Sequence, residues 1–211
     1  MKIIITGAGE VGTHLAKMLS QENQDIILMD PNEERLKFTN NMEVLAMVGN
    51  PTSLKDLQES GIKDADLFIS VTPEEPTNIT ACMLAHSLGA HKTLARINNY
   101  EYLQPKNIEF FQKLGISSMI YPEMLAAREI VTAVQRPWAR QYWELFGGAL
   151  ILIGVKVRDN ARIVNKRLTD LSLDQKLYQI VAIKRCNETI IPRGTDHIAS
   201  GDIVFFTTTR E

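Results

Sequence analysis

Cysteine and tryptophan are scarce, with two of each in 211 residues. Cys82 and Cys186 lie far apart, in segments that read as helix and strand, so no disulfide framework is indicated and both read as buried free thiols. The four histidines, His14, His86, His91 and His197, are scattered. No Cys or His pair has the short spacing that metal ligation from one turn or hairpin requires, so no metal is expected. Long apolar runs are also missing: the longest, Ala149 to Val157, is under half of the ~20 residues that cross a bilayer. The N-terminus passes straight into Lys2-Ile3-Ile4-Ile5 without a signal-peptide cleavage pattern, and the expectation is a soluble, cytoplasmic chain. Charge imbalance is lacking as well. Lys and Arg number 23 against 25 for Asp and Glu, a net charge of -2, which supplies no broad attraction to nucleic acid or to an anionic membrane.

What is present is a foldable composition, 45% hydrophobic and 23% charged. At about 150 residues per domain, the length predicts one large domain, or a medium one with a small companion. Through residue 121, short β-branched runs alternate with helical patterns, the signature of repeated βαβ units and a Rossmann-like parallel sheet covered on both faces. Strands are expected at Lys2 to Thr6, Asp25 to Asp30, Val44 to Val48, Leu67 to Val71, Thr93 to Ile97 and Ser118 to Tyr121. Helices are expected at Val11 to Gln21, Glu33 to Asn40, Ser53 to Ser60, Pro76 to Leu88 and Pro105 to Leu114. Ser53 and Asp56 have the spacing of a reciprocal cap, while Pro76 and Pro105 suit a first helical turn that needs no backbone donor. Gly61, Gly89 and Gly115 fall where helices should end.

A further helix is expected from Glu123 to Gln135, with an aromatic exit through Trp138, Tyr142, Trp143 and Phe146. It reads as a connector belonging to neither half. On that helix Met124, Ala127, Val131 and Val134 form an apolar stripe that Leu125, Ala126 and Ile130 widen, the pattern of a helix buried on two sides. The rest changes character: a strand from Ala149 to Val157, a short helix near Lys166 to Leu171, then strands at Gln179 to Arg185, Thr189 to Pro192 and Asp202 to Thr208. Cys186-Asn187-Glu188 suits a hairpin turn. The expected organisation is an α/β domain over 1–121, a connector over 122–143 and a small α+β domain over 144–211.

Chemistry concentrates at Gly7-Ala8-Gly9-Glu10-Val11-Gly12, a G-x-G-x-x-G that follows an apolar strand and opens a helix. Gly7 allows the tight turn, Gly9 lets a pyrophosphate approach the backbone, and Gly12 permits close packing of helix on strand. The anion would then sit on unpaired N–H groups at the start of the helix. Asp30 closes the second strand, where the dinucleotide fold places a carboxylate for a ribose, though it could instead cap the next helix. A carboxylate there repels a 2′-phosphate. No Arg or Lys occupies positions 31 to 33, and Arg35 is expected to face solvent, so NAD is favoured over NADP. The ends of the later strands should also face the ligand, and they carry Asn50, Thr72-Pro73 and Arg96. Thr72 suits a phosphate or ribose, and Arg96 a diphosphate.

The glycine loop, Asp64-Ala65-Asp66, Thr77-Asn78 and Ala95-Arg96-Ile97-Asn98 together resemble the nucleotide-binding domain that regulates potassium channels and transporters. Within that group the chain is most similar to the TrkA family, peripheral NAD-binding subunits of bacterial Trk potassium uptake systems. Ala182 to Arg185, Ile190 to Gly194 and Ser200-Gly201-Asp202 resemble the small C-terminal domain that follows in the family. The resemblance implies NAD or NADH as ligand, a Trk-type membrane transporter subunit as partner, self-association through the crossover helix, and a peripheral position on the inner face of the membrane. Two departures bear on the ligand: Glu10 stands where ATP-binding relatives often have Arg, which argues for NAD or NADH, and Asn50 stands where many have Asp. The alternative is a small NAD-dependent oxidoreductase, but no positioned Tyr-Lys, His-Asp or Cys constellation is evident. A transcriptional sensor would need a basic recognition helix, and none is apparent.

Overall fold

The computed structural model describes residues 1–37, 39, 42–171 and 178–209. They divide into two compact units, Met1–Leu125 and Ala126–Glu211.

The first unit contains strands β1 (Lys2–Thr6), β2 (Asp25–Asp30), β3 (Leu45–Val48), β4 (Leu67–Ser70), β5 (Lys92–Arg96) and β6 (Ser118–Ile120). They form one parallel sheet in the order β3-β2-β1-β4-β5-β6. Its helices are α1 (Glu10–Ser20), α2 (Glu33–Leu36), α3 (Leu54–Glu59), α4 (Glu75–Ser87) and α5 (Pro105–Lys113). Because side chains alternate across a strand, β1 sends Ile4 into one core and Ile3 and Ile5 into the other. Ile4 joins Leu57, Phe68, Cys82 and Phe111, whereas Ile3 and Ile5 join Ala16, Leu28 and Ile69. A near-continuous apolar run such as Ile3-Ile4-Ile5 is therefore what a sheet covered on both faces requires.

Local cues act much as expected. Pro76 and Pro105 occupy first turns, and Gly61, Gly89 and Gly115 have φ of 69°, 113° and 88°. The α3 cap is only half of the expected box: Ser53 Oγ accepts from Asp56 N at 3.3 Å, but the Asp56 carboxylate instead accepts from Asn50 N at 2.7 Å. The α-helical part of the second helix is Glu33–Leu36; of the remainder of the expected span to Asn40, Phe38 and Asn40 lie outside the described residues.

Helix α6 (Pro122–Gln135) carries the unit boundary between Leu125 and Ala126. The second unit holds an antiparallel sheet of β7 (Gln141–Leu145), β8 (Leu150–Lys156), β9 (Tyr178–Arg185), β10 (Glu188–Ile190) and β11 (Ile203–Thr208), ordered β10-β9-β11-β8-β7. Strand β7 lies in the segment read as an aromatic exit. Trp143 pairs in register with Leu152 and stacks near Phe205, so its aromatics serve a sheet face. The short helix expected near Lys166 is a single 3-10 turn, Leu168–Asp170. One core gathers Val157, Ile183, Ile198 and Val204.

Asp202 is 1% exposed and anchors this unit. Its carboxylate accepts from Arg185 Nε at 2.9 Å, Arg185 Nη2 at 2.8 Å and Ala199 N at 2.8 Å. The Arg185 hydrogen bonds, and the Ala199 N–H after them, hold Asp202 below the usual carboxylate range against the opposing effect of burial. One of the two cysteines differs from expectation. Cys82 is buried, which pushes its thiol up to about 12, but Cys186 is exposed on the β9–β10 turn at φ 52°. A two-residue hairpin turn needs a positive φ there, which keeps the side chain out of the core.

Candidate nucleotide-binding site

The strand order changes direction between β1 and β4, and in open α/β sheets ligands bind outside the carboxyl ends of the strands at that point. Gly7 leaves β1 with φ +98°, and a Cβ there would stand 2.9 Å from Thr72 N. At Gly12 a Cβ would stand 1.9 Å from Gly7 O, so helix α1 packs on the turn as only glycine allows. Gly9 is different. It is the N-cap of α1, and a Cβ there would meet nothing within 4 Å, which leaves the helix N-terminus open to an approaching anion. Glu10 forms the first residue of the helix, and the neighbouring Val11 is exposed.

Asp30, 2% exposed, ends β2 directly beneath this loop. Its Oδ2 accepts from Ala8 N at 2.7 Å and its Oδ1 from Asn32 N at 2.8 Å. Two of its roughly four acceptor positions take no hydrogen bond from the described residues. Asp30 is not the cap of α2; that role belongs to Asn32, whose side chain accepts from Glu34 N. Arg35 also departs from expectation. Its Nη1 lies 3.8 Å from Asp30 Oδ2, so it turns toward the site and not simply to solvent.

Asp30, Arg35, Asn50, Thr72, Pro73 and Thr77 line one cleft of about 410 Å³. Asn50 Oδ1 accepts from Thr52 N and Oγ1, which rigidifies the rim after β3. Thr72 Oγ1 donates to Asn78 Oδ1 at 2.7 Å, so it offers lone pairs to a ribose hydroxyl but must release Asn78 to donate to a phosphate.

Asn78 is a positioning residue that sequence reasoning noticed without assigning a role. It is 1% exposed; its Oδ1 accepts from Ser70 Oγ and Thr72 N, while its Nδ2 donates to Thr72 O and Arg96 O. One amide thus ties the ends of β4 and β5 to α4. Glu75 does the same for the next loop, accepting from Asn98 N at 2.6 Å and Asn99 N at 2.8 Å. A buried amide next to a strand end is a recognisable signal, but its partners are set by tertiary structure.

Arg96 is not among the residues that line the cleft with Asp30. Its Nη2 pairs with Glu123 Oε1 in the first turn of α6. Glu123 is held below the usual carboxylate range, first by its own backbone N–H at the helix start and then by Arg96. Asp30, Asn50, Thr72 and Pro73 therefore gather in one cleft at the carboxyl ends of the strands; residues 7–12 are not in its lining and join it through the Ala8 N–Asp30 hydrogen bond, while Arg96 pairs with α6.

Fold and site together define a Rossmann-like domain with an open glycine loop after its first strand, followed by a small antiparallel-sheet module. The chain belongs to the TrkA family: residues 3–122 match the TrkA-N domain and residues 152–211 the TrkA-C domain. It is 32% identical over 204 residues to the Trk system potassium uptake protein TrkA homolog of Archaeoglobus fulgidus, covering 97% of this chain and 46% of that protein. It is 34% identical to the homolog of Methanothermobacter thermautotrophicus, covering 92% of this chain and 87% of that one. The chain spans about half the length of most of the curated relatives it matches. A solved GsuK channel bound to NAD superposes with a TM-score of 0.62, covering 99% of this chain and 37% of that chain; at 15% identity this likeness concerns the fold.

Proposed function

We propose that this chain is a NAD- or NADH-binding regulatory subunit that gates a membrane potassium transporter. The observation that carries the ligand is the open space at Gly9 with the buried Asp30 carboxylate beside it. Gly7 to Gly12 would hold the diphosphate, Asp30 the adenosine ribose, and Asn50, Thr72 and Pro73 the rim. The family membership carries the partner, a Trk-type membrane subunit. Attachment on the cytoplasmic face through that partner belongs to the same reading; among the described residues no helix is long and apolar enough to cross a membrane.

Residues 1–121 then act as the binding domain, 122–143 as the connector and 144–211 as a regulatory module. A ligand shifts a conformational equilibrium only by its different affinity for two states. The Arg96–Glu123 pair gives the site a direct link to α6, since an anion near β5 competes with Glu123 for the guanidinium.

Self-association through α6 has its own support. No residue of α6 is buried, and Leu125, Ile130, Val131 and Val134 are exposed, Val134 at 74%. An apolar stripe left bare by its own chain marks an interaction surface. The expected result is a dimer or larger assembly by light scattering at micromolar concentration, converted to monomer by Ile130→Glu with Val134→Glu. A wild-type monomer would contradict the pairing.

The oxidoreductase alternative requires an acid–base pair beside a nicotinamide. The cleft assigned to the adenosine side carries the carboxylates of Asp30 and Glu74 and, among the described residues, no His, Tyr, Lys or Cys; whether a nicotinamide turns over is decided by kinetics. Incubating the protein with NADH and candidate carbonyl substrates should give no sustained cofactor oxidation, while a Trk-type subunit should be retained in a pull-down. Substrate-dependent NADH consumption would overturn the regulatory reading.

A further inference from the structure

We infer that Arg35 is a specificity-determining residue at the adenosine ribose, drawing in a 2′-phosphate that Asp30 alone would repel, so that discrimination between NAD and NADP is the balance of two opposed side chains. This rests on the dinucleotide reading of the cleft.

Three observations support it. Arg35 and Asp30 line the same cleft, with Arg35 Nη1 3.8 Å from Asp30 Oδ2. That distance is an ion pair without a hydrogen bond. The Arg35 side chain is 51% exposed against 3% for Asp30, and a loose, half-solvated pair of this kind holds its arginine weakly.

Nor does Asp30 depend on Arg35, because Ala8 N and Asn32 N already donate to both of its oxygens. The guanidinium is thus free to turn to a better anion. The neighbouring carboxylate of Glu34 is engaged by Lys37, and Asp30 is the one ion-pair partner of Arg35 among the described residues. Helix α2, fixed by its Asn32 cap, keeps Arg35 on the cleft wall. A planar fork of N–H donors matches a phosphate bidentately and strengthens binding when the phosphate is present. A ligand with a bare 2′-hydroxyl receives no such contact and answers to Asp30 alone.

The test is titration calorimetry with NAD, NADP and, as a compact 2′-phosphate probe, adenosine 2′,5′-bisphosphate against 5′-AMP. Arg35→Ala should weaken NADP and the bisphosphate about tenfold, the worth of one charge-assisted contact, and leave NAD nearly unchanged. Arg35→Lys should recover part of the loss, and Asp30→Ala should move the NAD-to-NADP ratio the opposite way. An Arg35→Ala ratio equal to wild type, or wild-type NADP and bisphosphate affinities too low to register, would overturn the role of Arg35 while leaving NAD binding intact. Failure of the wild type to bind NAD would overturn the dinucleotide reading and this inference together.

Discussion

Gly9→Ala is expected to weaken NAD and NADH about 100-fold while leaving the melting temperature within a few degrees of wild type. The added methyl meets no protein atom within 4 Å, so the fold has nothing to accommodate. Gly9 has φ -78° and ψ -170°, ordinary extended backbone that alanine adopts without strain. Alanine is the poorer N-cap, but it also restricts the unfolded chain, and these opposed effects are each about 1 kcal/mol or less. The methyl does occupy the space before the α1 N-terminus, where a diphosphate must approach. Gly12→Ala forms the contrast. Its Cβ would lie 1.9 Å from Gly7 O, so the loop must move, and both stability and binding should fall. Titration paired with thermal melts separates the two, and undiminished NAD binding by Gly9→Ala would place the ligand elsewhere.

The second large effect lies in the C-terminal unit. Among the described residues, Arg185→Met leaves the Asp202 carboxylate, 1% exposed, with the Ala199 N–H as its one hydrogen-bond donor. Removing one partner of a buried pair costs about 3–5 kcal/mol, and the lower end applies because Arg185 is itself a third exposed. For a unit of this size that corresponds to a melting shift of about 10 °C or more. The acid dependence has a definite sign. Asp202 is held below its ordinary value, so its contribution is complete above pH ~4 and is lost as the pH falls through the lowered folded value. Wild type and Arg185→Met should therefore differ at neutral pH and converge in strong acid. A constant difference across that range would detach the stabilisation from Asp202 ionisation.

The parallel sheet was legible because its signals are local. Continuous runs such as Ile3-Ile4-Ile5, prolines at helix starts and glycines at helix ends each act within a few residues. The glycine loop was legible for the same reason, since both the Gly7 φ and the Gly12 contact depend on one turn. Strand β7 was hidden because Trp138, Tyr142 and Trp143 read equally well as an exit from α6; pairing with β8 makes residues 141–145 a strand. Side-chain partners were less legible still. The turn of Arg35 toward Asp30, the Asn78 amide joining two strand ends and the Arg96–Glu123 pair span 5, 18 and 27 positions of sequence or involve several elements at once. Spacing alone names such residues without saying what they face.

The gating account is tested most directly by potassium flux into vesicles carrying a Trk-type membrane subunit, measured with this protein present, with and without NAD or NADH. The account predicts that nucleotide changes the flux with wild-type protein, and that Gly9→Ala, folded but unable to seat the diphosphate, leaves flux at the nucleotide-free level throughout. Flux that is the same with and without nucleotide for the wild type would contradict it.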